Sequence, residues 1–305
     1  MERNDRAWVA PEEGAGPVSS TASTPVVRPT WIEPPTVTPP APVGPMTLSD
    51  ILDGSYTIIK RRPRAVIGAV SVVIVPIQVL AVWLQSLADD PVEQSPYGAL
   101  SSLTSGASLP VTMLVAAIAS LSLFFVGGIV SSFVVAWYSG RDISVGDALR
   151  AAFRRWGPFL VAWAVLLPVK AVSYALCILP LAVTVTFFAL TAPVITIEGL
   201  GPFAAIKRSA QLVSRRFWPA LGVVLLATLI ETVLQFALAA IPMIVAIFLP
   251  APADWMVLAV GEAGAALIAT TALVGVSVLL YIDLRVRTEG LDLELRATDA
   301  FDRVS

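Results

Sequence analysis

Three stretches of this chain alternate apolar and polar residues with the period of a helix, and each then runs through a proline into a long apolar segment. The first has Leu48, Ile51, Leu52, Tyr56 and Ile59 on its apolar side and ends at Lys60-Arg61-Arg62-Pro63. The second has Val145, Ala148, Leu149, Ala152, Phe153 and Trp156, with Arg150, Arg154 and Arg155 among the other positions, and ends at Gly157-Pro158. The third places Phe203, Ile206, Ala210, Val213 and Phe217 at steps of three and four, flanked by Lys207, Arg208, Arg215 and Arg216, and ends at Pro219. Steps of three and four put these residues on one helical face. Proline suits the head of each apolar segment, because a first-turn N–H has no intrahelical partner to lose. A short amphipathic helix with a basic end beside an apolar run is expected in the membrane interface, against anionic headgroups, or packed under the bundle. Ser49 or Thr47 is placed to cap the first.

The apolar runs have the lengths of membrane crossings. Ala65 to Leu87 is about what a ~30 Å hydrocarbon core needs at 1.5 Å per residue, with a kink expected at Pro76 and Trp83 near its far end. Val111 to Tyr138 returns, with Trp137-Tyr138 as an expected interfacial belt. Phe159 to Ile197 is too long for one ordinary span and lies between basic loops, so a hairpin turning near Leu179-Pro180, or a deep re-entrant loop, is expected. Pro219 to Leu249 should tilt or break near Pro242, and the sixth span runs from Trp255 to about Ile282. The expected fold is all-α: a polytopic membrane protein of six transmembrane helices, arranged as three repeats of an interfacial amphipathic helix plus a transmembrane hairpin.

Composition agrees with a bilayer protein. Hydrophobic residues make up 56% of the chain and charged ones only 14%, where soluble domains carry about 25% charged. Charge is also segregated: apart from Lys170, no Lys or Arg lies between Arg64 and Arg141, Arg155 and Lys207, or Arg216 and Arg285. The positive-inside rule then expects both termini in the cytoplasm and the acidic loop at 88–109 outside, in the cell membrane. With no histidine and Cys177 as the single cysteine, a zinc site, a Ser-His-Asp triad and an internal disulfide are excluded.

Residues 1–46 read as a disordered, Pro-rich cytoplasmic tail, since ten of the 24 prolines fall in the first 45 positions and little there can be buried. The spacing of Pro39 and Pro42 suits an aromatic groove, but a plain tether is the expectation. The tail lacks the marks of a secretory signal, so the first span is expected to start insertion itself. Residues 47–295 form the expected six-span membrane domain, and 296–305 a short cytoplasmic tail.

Candidate chemistry is sparse. Lys170, Glu231 and Glu262 are ionisable groups at membrane depth, where such groups are costly and often functional. Lys170 lies twelve residues after Pro158, and Glu231 twelve after Pro219, so equivalent repeats place both about 18 Å along their helices, near mid-membrane. A Lys170 to Glu231 pair is therefore expected, as a register-fixing contact or as a solute or proton site. Ser173, Tyr174 and Cys177 share the lysine's face, and Thr228 and Gln235 the acid's. Gly127-Gly128 precede Ser131-Ser132 by four residues, and Gly261, Ala265 and Ala269 form a second small-residue stripe. Such stripes make helix seams, between chains or within one.

Several phrases between residues 47 and 295 carry a family likeness: Thr47-Leu48-Ser49-Asp50-Ile51-Leu52-Asp53-Gly54, Ala136-Trp137-Tyr138, Thr191-Ala192-Pro193 with Glu198-Gly199, Ser214-Arg215-Arg216-Phe217-Trp218, and Tyr281 to Arg287. The chain resembles a bacterial family of multi-pass membrane proteins of unknown function, related to the membrane domain attached to some glycerophosphoryl diester phosphodiesterases. That resemblance implies a helical membrane module and supplies no catalytic residue; the phosphodiesterase activity belongs to a separate soluble barrel with metal-binding carboxylates and histidines. Leu52-Asp53-Gly54 is expected to be a helix turn or cap. The expectation is a non-catalytic scaffold or accessory component of a cell-envelope or lipid-related system, without cofactor. A transporter or lipid-handling protein using Lys170 and Glu231 is the alternative. Its partners are expected to be the bilayer, anionic headgroups and another membrane or envelope protein, with no nucleic acid.

Overall fold

A computed structural model describes residues 44–88, 109–176, 178–248 and 254–291. The Pro-rich tail, most of the acidic loop expected outside, Cys177 and the C-terminal tail beyond 291 lie outside the described residues. Within them the chain is helical, without a strand. The order is α1 (Leu48–Arg61), α2 (Pro63–Ala88), α3 (Leu109–Tyr138), α4 (Val145–Phe153), α5 (Trp156–Leu176), α6 (Ile178–Phe188), α7 (Thr191–Ile197), α8 (Pro202–Arg215), α9 (Phe217–Ile247) and α10 (Asp254–Glu289). Six segments are long and apolar enough to cross a membrane: Pro63–Ala81, Met113–Tyr138, Trp156–Leu176, Leu179–Ile197, Phe217–Ala246 and Met256–Glu289.

The amphipathic helices form where the sequence places them, and their starts have identifiable causes. Thr47 caps α1 in a capping box: its side chain accepts from the Asp50 N–H, and Asp50 Oδ2 accepts from the Thr47 N–H at 2.8 Å. Ser144 caps α4, and Pro202 occupies the first turn of α8. The Thr47 backbone N–H, and then its hydroxyl, hold the Asp50 carboxyl below the usual aspartate range. A depressed folded value gives stability that is present above the unfolded pKa and lost as pH falls through the folded one. Amide exchange in the first turn of α1, corrected for its intrinsic rate, should therefore accelerate below about pH 4, more than in α8, whose first turn has no acid. Equal behaviour of the two helices would remove the capping box as a pH-sensitive element.

Each amphipathic helix breaks before its span. Arg62 (φ −140°, ψ 69°) separates α1 from α2, and Arg216 (φ −140°, ψ 51°) separates α8 from α9. The buried faces differ from the pattern of bulky residues. In α1 the fully covered positions are Ile51, Gly54, Ser55 and Ile58, while Leu48 is exposed. In α4 they are Ala148 and Ala152, while Phe153 and Trp156 are exposed; in α8 they are Ala205, Ser209, Leu212 and Val213, while Phe203 is exposed. Small residues let the backbones approach where these helices touch the bundle, with Ile51, Ile58, Leu212 and Val213 packed inward beside them, while Leu48, Phe153, Trp156 and Phe203 are left at its outside. Gly54 lies buried in a turn of α1, and its neighbour Ser55 meets α10: a Cβ on Gly275 would stand 3.1 Å from the Ser55 Cβ.

Two further expectations change. Trp137 is not a belt residue but a buried one, 1% exposed, with the Arg61 guanidinium 5.1 Å from its ring centroid. Helix α9 does not break at Pro242, which leaves tilt to absorb a length of about 46 Å for 31 residues. The outgoing arm of the second hairpin ends at Leu176 and the returning arm begins at Ile178, beside the expected turn near Leu179-Pro180. The returning arm is itself interrupted at Ala189-Leu190, so α7 is a separate, buried helix.

The small-residue stripes are seams within the chain. A Cβ on Gly127 would stand 2.7 Å from the Ala192 Cβ of α7, and one on Gly128 2.8 Å from the Phe159 ring of α5. Trp163 of α5 adds a polar tie to α3, donating to the Ser120 hydroxyl at 2.9 Å. Ser173 and Thr184 join α5 to α6 at 2.8 Å, which uses one of the hydroxyls expected on the lysine's face. Tyr174 points out of the bundle, 62% exposed.

Candidate functional site

Five segments of the bundle meet around Lys170. A cavity of about 110 Å³ is bounded by Leu123, Phe124 and Gly127 of α3, Val185 and Phe188 of α6, Ala192 and Pro193 of α7, Val224 and Thr228 of α9, and Leu273, Val274 and Ser277 of α10. Lys170 is the single charged residue in that lining, and it is half-buried. Its helix reaches this point because Ser173 and Trp163 anchor α5 on either side of it. Besides the ammonium, the polar groups of the lining side chains are the hydroxyls of Thr228 and Ser277, and Ser277 donates to the Leu273 carbonyl at 3.3 Å.

Glu231 stands on α9 three residues beyond Thr228, and residues three apart share a helix face. The equal spacing of Lys170 and Glu231 from their prolines thus brings their helices to one cavity, but no ion pair joins the two side chains among the described residues. The two helices line the cavity with α6 packed against both of them. Glu262 is elsewhere. It follows Gly261, which packs against Pro242, and it is exposed near the start of α10, on the side of the buried Ala259, Ala265 and Ala266, without a partner among the described residues.

A second polar cluster, which periodicity did not reveal, closes the opposite, basic end of the bundle. Arg208 of α8 donates Nε to both oxygens of Glu198 at 3.1 Å and lies 2.6 Å from Glu289 of α10. Arg285 donates to Glu289 at 3.1 Å and to the Tyr281 hydroxyl at 3.2 Å, and that hydroxyl donates to Glu198 at 2.9 Å. The ring is closed. Tyr281, Arg285 and Glu289 share a face of α10 because they are four residues apart. Glu198 is aimed by the turn after α7, where Gly199 takes φ +71° in the left-handed region that favours glycine. A further pair beside it, Asp283 and Arg287, holds Met46: the Met46 N–H donates to Asp283 at 2.7 Å and its carbonyl accepts from Arg287 at 2.6 Å. The one signal of the ring in the sequence is the acid-base spacing of four along Tyr281 to Glu289.

Among the described residues no group of three or more Cys, Asp or Glu side chains could hold a metal ion. The chain matches no family model, no curated protein and no solved structure.

Proposed function

We propose that this chain is a non-catalytic integral membrane protein, a scaffold or accessory component of a cell-envelope or lipid-related system, which docks a membrane helix of a partner beside α9 and the outer part of α10. One observation carries this reading: Glu262 keeps its exposure within a segment apolar enough to span a membrane, near the N-terminal end of the helix and on the side of the buried Ala259, Ala265 and Ala266, and no group of the described chain pairs with it. A charge costs roughly 2.5 to 3.5 kcal/mol at the centre of a span on insertion scales and less toward its ends, where Glu262 lies seven residues after Trp255, and intramembrane carboxylates ordinarily point inward or pair. A Lys or Arg on a neighbouring helix supplies the missing charge, so the partner is one with a basic residue in a membrane segment. Helix α9, which meets α10 at Pro242, is largely bare near that level: Phe236, Ile241, Ile244 and Val245 are exposed.

The rest of the reading rests on the same elements. The basic end faces the cytoplasm with both termini, in the plasma membrane, because Lys and Arg cluster there. The order of amphipathic helix, span and returning span, given three times with a like break at Arg62 and Arg216, supports three structural repeats. Relation to the membrane domain of the phosphodiesterases is supported by the family-like phrases between residues 47 and 295.

A photo-crosslinking residue at Leu258, half-buried one turn before Glu262 on the same face of α10, tests the docking, with Val172 on the exposed face of α5 as control. We expect an adduct at Leu258 with a membrane protein that has a basic residue in a span, lost in Glu262→Lys and absent at Val172. An adduct that survives Glu262→Lys, equal capture at both sites, or none at all overturns the reading; an adduct to a second copy replaces the partner by self-association.

A second reading, transport or lipid handling through Lys170 and Glu231, is favoured by the ammonium in the internal cavity. The cavity's 110 Å³ leaves room for a few waters at about 30 Å³ each. That is well below the roughly 300 Å³ where organic ligand sites begin. This reading therefore concerns a proton or a small ion.

A further inference from the structure

A larger cavity, of about 320 Å³, lies at the basic end between α1, α9 and α10. Much of its wall is apolar, with Leu48, Ile51, Val223 and Leu284 among the residues that form it. Three charged side chains line it: Arg216, Asp283 and Arg287. Two of them are committed. Arg287 donates to both oxygens of Asp283, at 2.8 and 3.0 Å, and both side chains are bound to the backbone of Met46. Arg216 is exposed and has no ion pair or hydrogen-bonded partner for its guanidinium among the described residues. The cavity therefore has one unmatched positive charge over an apolar wall.

The position of that charge is set by the backbone. Arg216 is the residue at which α8 ends and α9 begins, so the opposite partial charges of the two helix ends offset each other there and the guanidinium is the charge that remains. Pro219, three residues on, lines the cavity and stands at the head of the apolar run. Charge and apolar wall thus meet at the level where the chain enters its span.

We propose that this cavity binds the headgroup of an anionic phospholipid, with Arg216 as the phosphate ligand and the glycerol and first methylenes of an acyl chain against Leu48, Ile51 and Val223. A phosphodiester has a single negative charge, which one guanidinium matches, and the fork geometry of arginine suits two phosphate oxygens. The apolar wall is what separates a lipid from free phosphate: inorganic phosphate gains nothing from it and brings a second charge that the cavity does not match. The volume is at the lower end of the range for small-molecule sites, enough for a headgroup and the start of a chain. The site is distinct from the face proposed for docking, so either can fail without the other.

The test uses the full chain purified in detergent, with retained lipid read by native mass spectrometry and the unfolding midpoint read after addition of phosphatidylglycerol, phosphatidylcholine, glycerol 3-phosphate or inorganic phosphate. Phosphatidylglycerol is expected to be retained and to raise the midpoint above phosphatidylcholine. Arg216→Ala should weaken that retention about tenfold, the scale of one lost charge-assisted contact, with Arg216→Lys between. Arg154→Ala, an exposed cation on another element, should leave it unchanged. If Arg216→Ala does not fold, Gly222→Leu serves in its place: Gly222 lines the cavity and a Cβ there meets nothing within 4 Å, so the larger side chain fills the site without a clash. Equal retention of the two lipids, or a preference that survives both Arg216→Ala and Gly222→Leu, overturns the proposal. A midpoint shift reproduced by inorganic phosphate or glycerol 3-phosphate alone overturns it in favour of a soluble anion.

Discussion

Gly261→Ala is expected to lower the unfolding midpoint of the detergent-solubilised protein by several degrees, whereas Gly264→Ala leaves it unchanged or slightly higher. A Cβ on Gly261 would stand 2.1 Å from Cγ and 2.2 Å from Cβ of Pro242, where carbon atoms in contact keep about 3.5 to 4.0 Å. A proline ring has no rotamer into which it can withdraw, so α9 and α10 must separate or slide. Close packing is much of what holds helices together in lipid, where burial of apolar surface gives little drive. Overpacking by one carbon costs about 1 to 3 kcal/mol in well-packed sites, and each kcal/mol is worth roughly 2 to 4 °C for a domain of this size. At Gly264 a Cβ meets nothing within 4 Å, and alanine is the better helix former there. Indistinguishable midpoints for wild type and Gly261→Ala would mean that the Gly261–Pro242 contact does not hold the two helices.

Arg208→Leu should be among the most destabilising single changes outside the spans. Arg208 serves Glu198 and Glu289 at once, and its removal leaves both acids at the junction of α7, α8 and α10 without their main cation. Breaking a buried pair from one side costs about 3 to 5 kcal/mol; the side chains here keep 16 to 23% exposure, so water offsets part of that. Arg208→Lys should fall between, because an ammonium cannot present the guanidinium fork to two carboxylates. Adding Glu198→Gln to Arg208→Leu should recover part of the loss, and additive effects of the two changes would show that the ring does not act as a unit. The Glu289 hydrogen bond, assisted by Glu198 and opposed by burial, holds the Arg208 pKa well above its ordinary value. Stability tied to a raised pKa is complete below the unfolded value and lost only as pH rises through the folded one. Both lie above about pH 12 for arginine, so the difference between wild type and Arg208→Leu should not shrink on the alkaline side up to pH 10. A difference that vanishes between pH 7 and pH 10 would contradict the assignment of Arg208 as the pivot.

Period, length and charge along the chain suffice to define its elements: three amphipathic helices, six apolar segments of spanning length, and the segregation of Lys and Arg to the loops on one side of them. These are local properties, because a helix satisfies its own backbone groups and a bilayer excludes charge wherever the neighbours lie. The cap at Thr47 was legible for the same reason. Contacts at the level of atoms depend instead on how the helices pack. Of the apolar stripes, Ile51, Ala148, Ala152 and Val213 went inside, whereas Leu48, Phe153, Trp156 and Phe203 stayed exposed and Gly54, Ser55, Ala205 and Ser209 were covered, because close helix approach favours small side chains. Trp137 went inside under Arg61, and the returning arm of the second hairpin broke at Ala189-Leu190 so that Ala192 could meet Gly127. The ring of Arg208, Glu198, Tyr281, Arg285 and Glu289 joins residues as far as 91 positions apart, Glu289 to Glu198, and no local pattern encodes such a meeting.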